Sequence, residues 1–189
     1  MFEKYLTNQK TKTIHRYVGH LFLVFLSAAG FKPAQAGWLQ PAEPLRMAPK
    51  MELVDTEGDI YRLSKMVGSV VLVNFWTTWC PPCIEEMPSL VRLSNSFDPS
   101  RFTILAVNVQ EKQRRVKQFA TRLGLVFPVL LDTSREAGDA WDITVFPSSF
   151  LVDAKGRIRY KAIGPIQWDS DEALAIVDKL LAEQVSRSP

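Results

Sequence analysis

Apolar positions follow two alternating rhythms along this chain. Val70-Val71-Leu72-Val73-Asn74-Phe75-Trp76 is an almost unbroken apolar, β-branched and aromatic run, the pattern of a strand buried on both faces. After a short turn, Ile84, Met87, Leu90, Val91 and Phe97 recur at helical spacing. The alternation then repeats. Residues 102–109 read as a second buried strand, and Val116, Phe119, Ala120 and Leu123 as the inner face of a helix stopped by Gly124. Residues 127–132 predict a strand, 137–141 a short helix and 146–152 another strand, followed by a hairpin turn at 153–156 into a strand at 157–161. Leu174, Val177, Leu180 and Leu181 line a last helix capped by Asp169 or Ser170. Strands alternating with helices, closed by an antiparallel hairpin, make this an α/β sheet.

The chain ahead of this alternation, residues 1–63, differs in character. Residues 51–55 and 59–63 flank Thr56-Glu57-Gly58 and predict a hairpin, whereas 37–49 carries Pro41, Pro44 and Pro49 without periodicity and reads as a flexible lead-in. In 1–36, Lys4, Lys10, Lys12 and Arg16 precede an apolar core at 21–29 and a small-x-small site, Ala34-Gln35-Ala36. That order is the layout of a signal peptide cleaved after Ala36. The alternative, an N-terminal membrane anchor, is disfavoured because the apolar stretch 18–31 contains Gly19 and His20 and falls short of the ~20 residues a span needs. The expected organisation is therefore signal peptide 1–36, lead-in 37–49 and one domain at 50–185.

Removing the leader changes the charge. The net +3 of the whole chain becomes about −1, because the remaining part holds 18 basic and 19 acidic residues. No basic stripe remains, so nucleic acid is not an expected partner. Both histidines, His15 and His20, lie in the leader. The expected mature chain thus excludes Ser/His/Asp and Cys/His catalysis and any histidine-ligated metal site.

The chemistry is concentrated in Trp79-Cys80-Pro81-Pro82-Cys83, which holds the two cysteines of the chain at the strand-to-helix turn. With Cys80 as N-cap, Pro81 and Pro82 take the first two helical positions, where a missing N–H costs little. Cys83 then lies one turn from Cys80, close enough for a small disulfide ring. The positive end of the helix favours the Cys80 thiolate, making it the attacking thiol and Cys83 the resolving one. A permanent staple would close almost no loop and stabilise little. Tetrahedral zinc sites want four ligands, and two cysteines are present.

Val71 to Pro88, with its WCPPC and Glu85-Glu86-Met87-Pro88, resembles the active-site segment of the thioredoxin superfamily, specifically the extracytoplasmic TlpA/ResA/DsbE-like branch. Phe146-Pro147-Ser148-Ser149 is similar to the family's cis-proline strand, and the likeness covers roughly residues 48–184. It implies a thioredoxin fold with an N-terminal β-hairpin and a TlpA-like helix–strand insert. It implies an enzyme, an exported thiol-disulfide oxidoreductase with no cofactor beyond the redox-active Cys80–Cys83 pair. Its partners would be a disulfide-containing client and a membrane thiol electron donor. The leader makes the chain periplasmic or extracytoplasmic, and with no long exposed apolar helix to suggest dimerisation a monomer is expected.

The same resemblance extends the site. Pro147 would be the cis-proline facing the cysteines, with Phe146 presenting backbone to a client strand; Trp79, Pro81 and Pro82 would form the rest of the client-binding surface. Glu86, one turn after Cys83, matches a glutamate of cytochrome c maturation reductases that exchanges a proton with the resolving thiol. Asn74 stands where cytoplasmic thioredoxins have a buried aspartate. Trp76 reads as core, and Pro88 as a helix kink.

Direction depends on how well the Cys80 thiolate is stabilised. Two prolines remove nearby N–H donors and no histidine lies between the cysteines, which favours a reductant. An oxidase or isomerase of the same fold is the alternative. A Cu(I) carrier using Cys80, Cys83 and Met87 is a second. A peroxiredoxin reading, prompted by Thr77, fails because Val73 stands where that motif has proline.

Overall fold

The computed structural model describes residues 38–185, so the expected signal peptide and its cleavage point lie outside the described residues. In chain order the elements are β1 (Gln40–Met47), β2 (Glu52–Asp55), β3 (Ile60–Arg62), β4 (Val70–Trp76), α1 (Pro81–Asn95), β5 (Phe102–Val109), α2 (Gln113–Leu123), β6 (Val129–Asp132), α3 (Glu136–Ala140), β7 (Ser148–Val152), β8 (Arg157–Ile163) and α4 (Asp171–Val185). The strands form one mixed sheet in the order β1-β8-β7-β4-β5-β6-β2-β3. β4 lies near its middle, parallel to β5 and antiparallel to β7.

Each β4 side chain is buried because the sheet is covered on both sides. Val70, Leu72 and Trp76 pack with Met87, Leu90 and Leu93 of α1 and with Val177 and Leu180 of α4. Val71, Val73 and Phe75 point the other way, to Leu105, Val107, Trp141 and Phe150. Phe75, Trp141 and Phe150 meet at ring centroids 5.1–6.1 Å apart, in tilted and edge-on geometries. The end of β4 is thereby held from two sides, and the turn carrying the cysteines leaves from a fixed base.

The lead-in expectation is corrected. Residues 40–47 are not a flexible segment but β1, paired antiparallel with β8 through a register irregularity between Pro41 and Arg46. Proline is tolerated there because the strand lies at the sheet edge, where a missing donor breaks no ladder on the outer side. Leu39 is buried in the core shared with α1 and α4, so the ordered domain reaches upstream of residue 50. The hairpin β2–β3 forms as read and pairs through β2 with β6 at the opposite edge. Gly124 closes α2 with φ 63°, and Ser170, not Asp169, caps α4 by accepting the Ala173 N–H at 3.3 Å. α1 continues unbroken through Pro88, which is exposed, so its ring faces solvent.

Candidate active site

Cys80 is the N-cap of α1 in extended conformation (φ −96°, ψ 101°), with Pro81 and Pro82 opening the helix. It forms a disulfide with Cys83. Among the described residues one hydrogen bond reaches the Cys80 sulfur, from the Cys83 N–H at 3.3 Å. Cys83 is wholly buried and Cys80 5% exposed, so the pair is approached from the Cys80 side.

Trp79 precedes Cys80 and is 62% exposed, an unusual position for the largest apolar side chain. Its ring meets Phe146 edge-on at 6.0 Å, which joins the cysteine turn to the segment before β7. The Phe146–Pro147 peptide is cis, as the resemblance implied, and so is Glu43–Pro44, which it did not. Pro147 is buried, Phe146 half-buried, Pro81 exposed and Pro82 half-buried. Trp76 is fully buried, as read.

Glu86 lies one turn beyond Cys83 on the inner face of α1, 3% exposed. Its Oε1 accepts from Asn74 Nδ2 at 2.7 Å; its Oε2 accepts from the Ile166 N–H at 3.1 Å and Trp168 Nε1–H at 3.3 Å. Burial raises its carboxyl to about 7, against the pull of those three donors toward the charged form. A group poised near neutrality can both take up and release a proton at working pH. Ser89, one turn on, ties the same loop down: its hydroxyl accepts from the Trp168 N–H at 3.1 Å, and its own proton is shared between the Glu86 carbonyl at 2.7 Å and the Ile166 carbonyl at 3.3 Å.

A second carboxylate escapes sequence reasoning. Glu111 sits at the junction of β5 and α2 and accepts from the Thr78 N–H at 2.6 Å, the Thr78 hydroxyl at 2.5 Å and Asn108 Nδ2 at 2.8 Å. Arg115 closes the group, 3.1 Å from Glu111 and 2.7 Å from the Thr78 hydroxyl. Thr78 is two residues before Cys80, so these bonds fix the approach of the chain to the disulfide. In sequence, Glu111 reads as an ordinary acid ahead of a helix. Trp168, Ile166 and Ser149 gave no signal either, because their partners, Glu86 for the first two and Asn74 for the third, lie at least 75 residues away.

Among the described residues no group of three His, Cys, Asp or Glu is placed to hold a metal ion, and Met87 is wholly buried. No described helix is long and apolar enough to cross a membrane.

Comparison with known proteins agrees with this geometry. The AhpC/TSA family model matches residues 44–161. The thiol-disulfide oxidoreductase ResA of Geobacillus thermodenitrificans is 39% identical over 112 residues, 59% of this chain and 64% of that protein. The match thus spans less than two thirds of that relative's length. ResA of Bacillus anthracis is 31% identical over 159 residues, covering 82% of this chain and 90% of the relative. Among solved structures, a thioredoxin-family thiol:disulfide interchange protein of Chlorobium tepidum superposes with a TM-score of 0.63 at 30% identity, over 75% of this chain and 97% of that one. The cysteine turn on a buried strand, the cis-proline segment beside it and the extent of these matches together place the chain in the AhpC/TSA family of thioredoxin-fold proteins.

Proposed function

We propose that this chain is an exported thiol-disulfide oxidoreductase that works as a reductase of client-protein disulfides. The observation that carries the reading is the Cys80–Cys83 disulfide at the start of α1, with the resolving cysteine buried and its sulfur partner reached by a single N–H. In the reduced enzyme the Cys80 thiolate attacks one sulfur of the client disulfide. The Cys80–client bond forms as the client bond breaks, leaving a client thiolate. Cys83 gives its proton to Glu86, and the resulting thiolate attacks Cys80. The Cys80–Cys83 bond closes, the second client sulfur leaves, and the client emerges with both sulfurs reduced.

A thiolate held by one neutral N–H is stabilised less than one facing several donors or a histidine, which supports the reducing direction over the oxidase or isomerase alternative. The Cu(I) alternative loses a ligand, since Met87 lies in the core beneath the site. Trp79, Pro81 and Phe146 supply the client surface. The likeness to cytochrome c maturation reductases supports apocytochrome c before haem attachment as the client, and a membrane thiol protein as electron source.

The test is a pair of variants in a disulfide-reduction assay with insulin. Cys83→Ser is expected to stall as a mixed disulfide through Cys80, visible as a mass increase reversed by dithiothreitol. Cys80→Ser is expected to form none. Equal trapping by both would refute the assigned roles.

A further inference from the structure

The two oxygens of Glu86 face chemically different partners. Oε2 meets a backbone N–H and an indole N–H, groups that donate and never accept. A proton on Oε2 would point at other protons. The acid form must therefore carry its proton on Oε1, the oxygen facing Asn74.

Asn74 differs from the other partners in having both a donor and an acceptor at the end of one rotatable bond. Wholly buried on β4, it spends both Nδ2 protons, one on Glu86 Oε1 at 2.7 Å and one on Ser149 Oγ at 2.9 Å. Its Oδ1 is buried without a hydrogen-bond partner. That arrangement suits an ionised Glu86 and opposes a protonated one, since an Oε1–H would face an N–H. Turning the amide by half a rotation reverses the match. Oδ1 then accepts from the Oε1–H of the acid and from the Ser149 hydroxyl, which can donate as readily as accept, and Nδ2 takes the unpartnered place.

Resting on the reading of Glu86 as the proton-exchanging group, we infer that Asn74 is a positioning residue whose amide swivels with the protonation of Glu86. It presents Nδ2 to the carboxylate and Oδ1 to the acid. One end of the amide is left without a partner in each state, so neither is favoured on that count. The device keeps a hydrogen bond on Oε1 in both forms. An aspartate at position 74 could not do this, because a second acid would compete for the same proton. The groups bonded to Glu86 are Asn74 from β4 and Ile166 and Trp168 from the loop after β8, with Cys83 one turn back on the same helix; among the described residues no charged side chain is bonded to it.

The test is an NMR titration of the isotope-labelled oxidised protein between pH 5 and 9, following Glu86 Cδ and the Asn74 side-chain amide. Both are expected to move with one midpoint, with the amide-to-Ser149 β-proton cross-peaks present at alkaline pH and lost at acid pH. Glu86→Gln mimics the acid, because its own amide must turn oxygen toward Ile166 and Trp168 and nitrogen toward Asn74. In that variant the acid-form Asn74 signals are expected at every pH. A Glu86 Cδ that titrates while the Asn74 cross-peaks stay unchanged would overturn the swivel and leave the proposed reductase intact. A Glu86 Cδ that does not titrate in this range would overturn both the swivel and the proton role of Glu86.

Discussion

Glu111 grips Thr78 twice, taking its backbone N–H at 2.6 Å and its hydroxyl at 2.5 Å from just beyond the end of the neighbouring strand β5. The helix–strand insert, α2 with β6, is thereby tied to the turn that presents Cys80. Glu111→Ala leaves a buried N–H and Asn108 Nδ2 without an acceptor. The expected loss is about 1.5–3 kcal/mol in urea unfolding of the oxidised protein, the range for hydrogen bonds to a charged group. Alkylation of Cys80 in the reduced protein should also speed up as the turn loosens. Unchanged stability would mean that these bonds are replaced by water.

Glu86 makes stability fall with rising pH. Burial raises its carboxyl from 4.5 to about 7, so the folded protein holds this proton to higher pH than the unfolded chain. The contribution is complete below about 4.5 and is lost as pH rises through 7, amounting to about 3 kcal/mol between those limits. Urea unfolding at pH 5 and pH 8 measures it. Glu86→Gln should remove most of the difference.

Trp168→Phe keeps an aromatic ring in the core and deletes the N–H that reaches Glu86 Oε2. That donor favours the charged form, so its removal should move the Glu86 midpoint further upward. Carbon-13 titration of the carboxyl reads the shift directly. A downward move would show that the indole raises the midpoint by burying the carboxyl more than its N–H lowers it.

Trp79→Ala should separate binding from stability. The ring is mostly solvent-exposed, so unfolding free energy should change by no more than about 0.5 kcal/mol. Insulin reduction should slow several-fold through KM, since the apolar surface beside Cys80 is lost. A large stability loss with normal KM would make Trp79 a structural residue.

The strands and helices around the cysteines were legible because each announces itself locally. β4 is an uninterrupted apolar run, Cys80 precedes two prolines that suit a helix start, and Gly124 supplies a left-handed cap. β1 was not legible, since its prolines mask an edge strand whose partner, β8, lies over 100 residues away. The same separation hid the site's polar frame. Glu86 could be named from the resemblance together with its turn spacing to Cys83, yet Ile166 and Trp168 reach it across about 80 residues. Asn74 stood out through the resemblance, as the residue in place of a buried aspartate; what it bonds to depends on the fold bringing α1 and β7 against it.

The most direct test of the reducing direction is the equilibrium reduction potential of the Cys80/Cys83 pair against dithiothreitol and glutathione buffers. A value near or below that of thioredoxin, about −270 mV, is the expected result for a thiolate held by a single N–H. A value near −120 mV, the region of strong periplasmic oxidants, would contradict the account and assign the protein to disulfide formation.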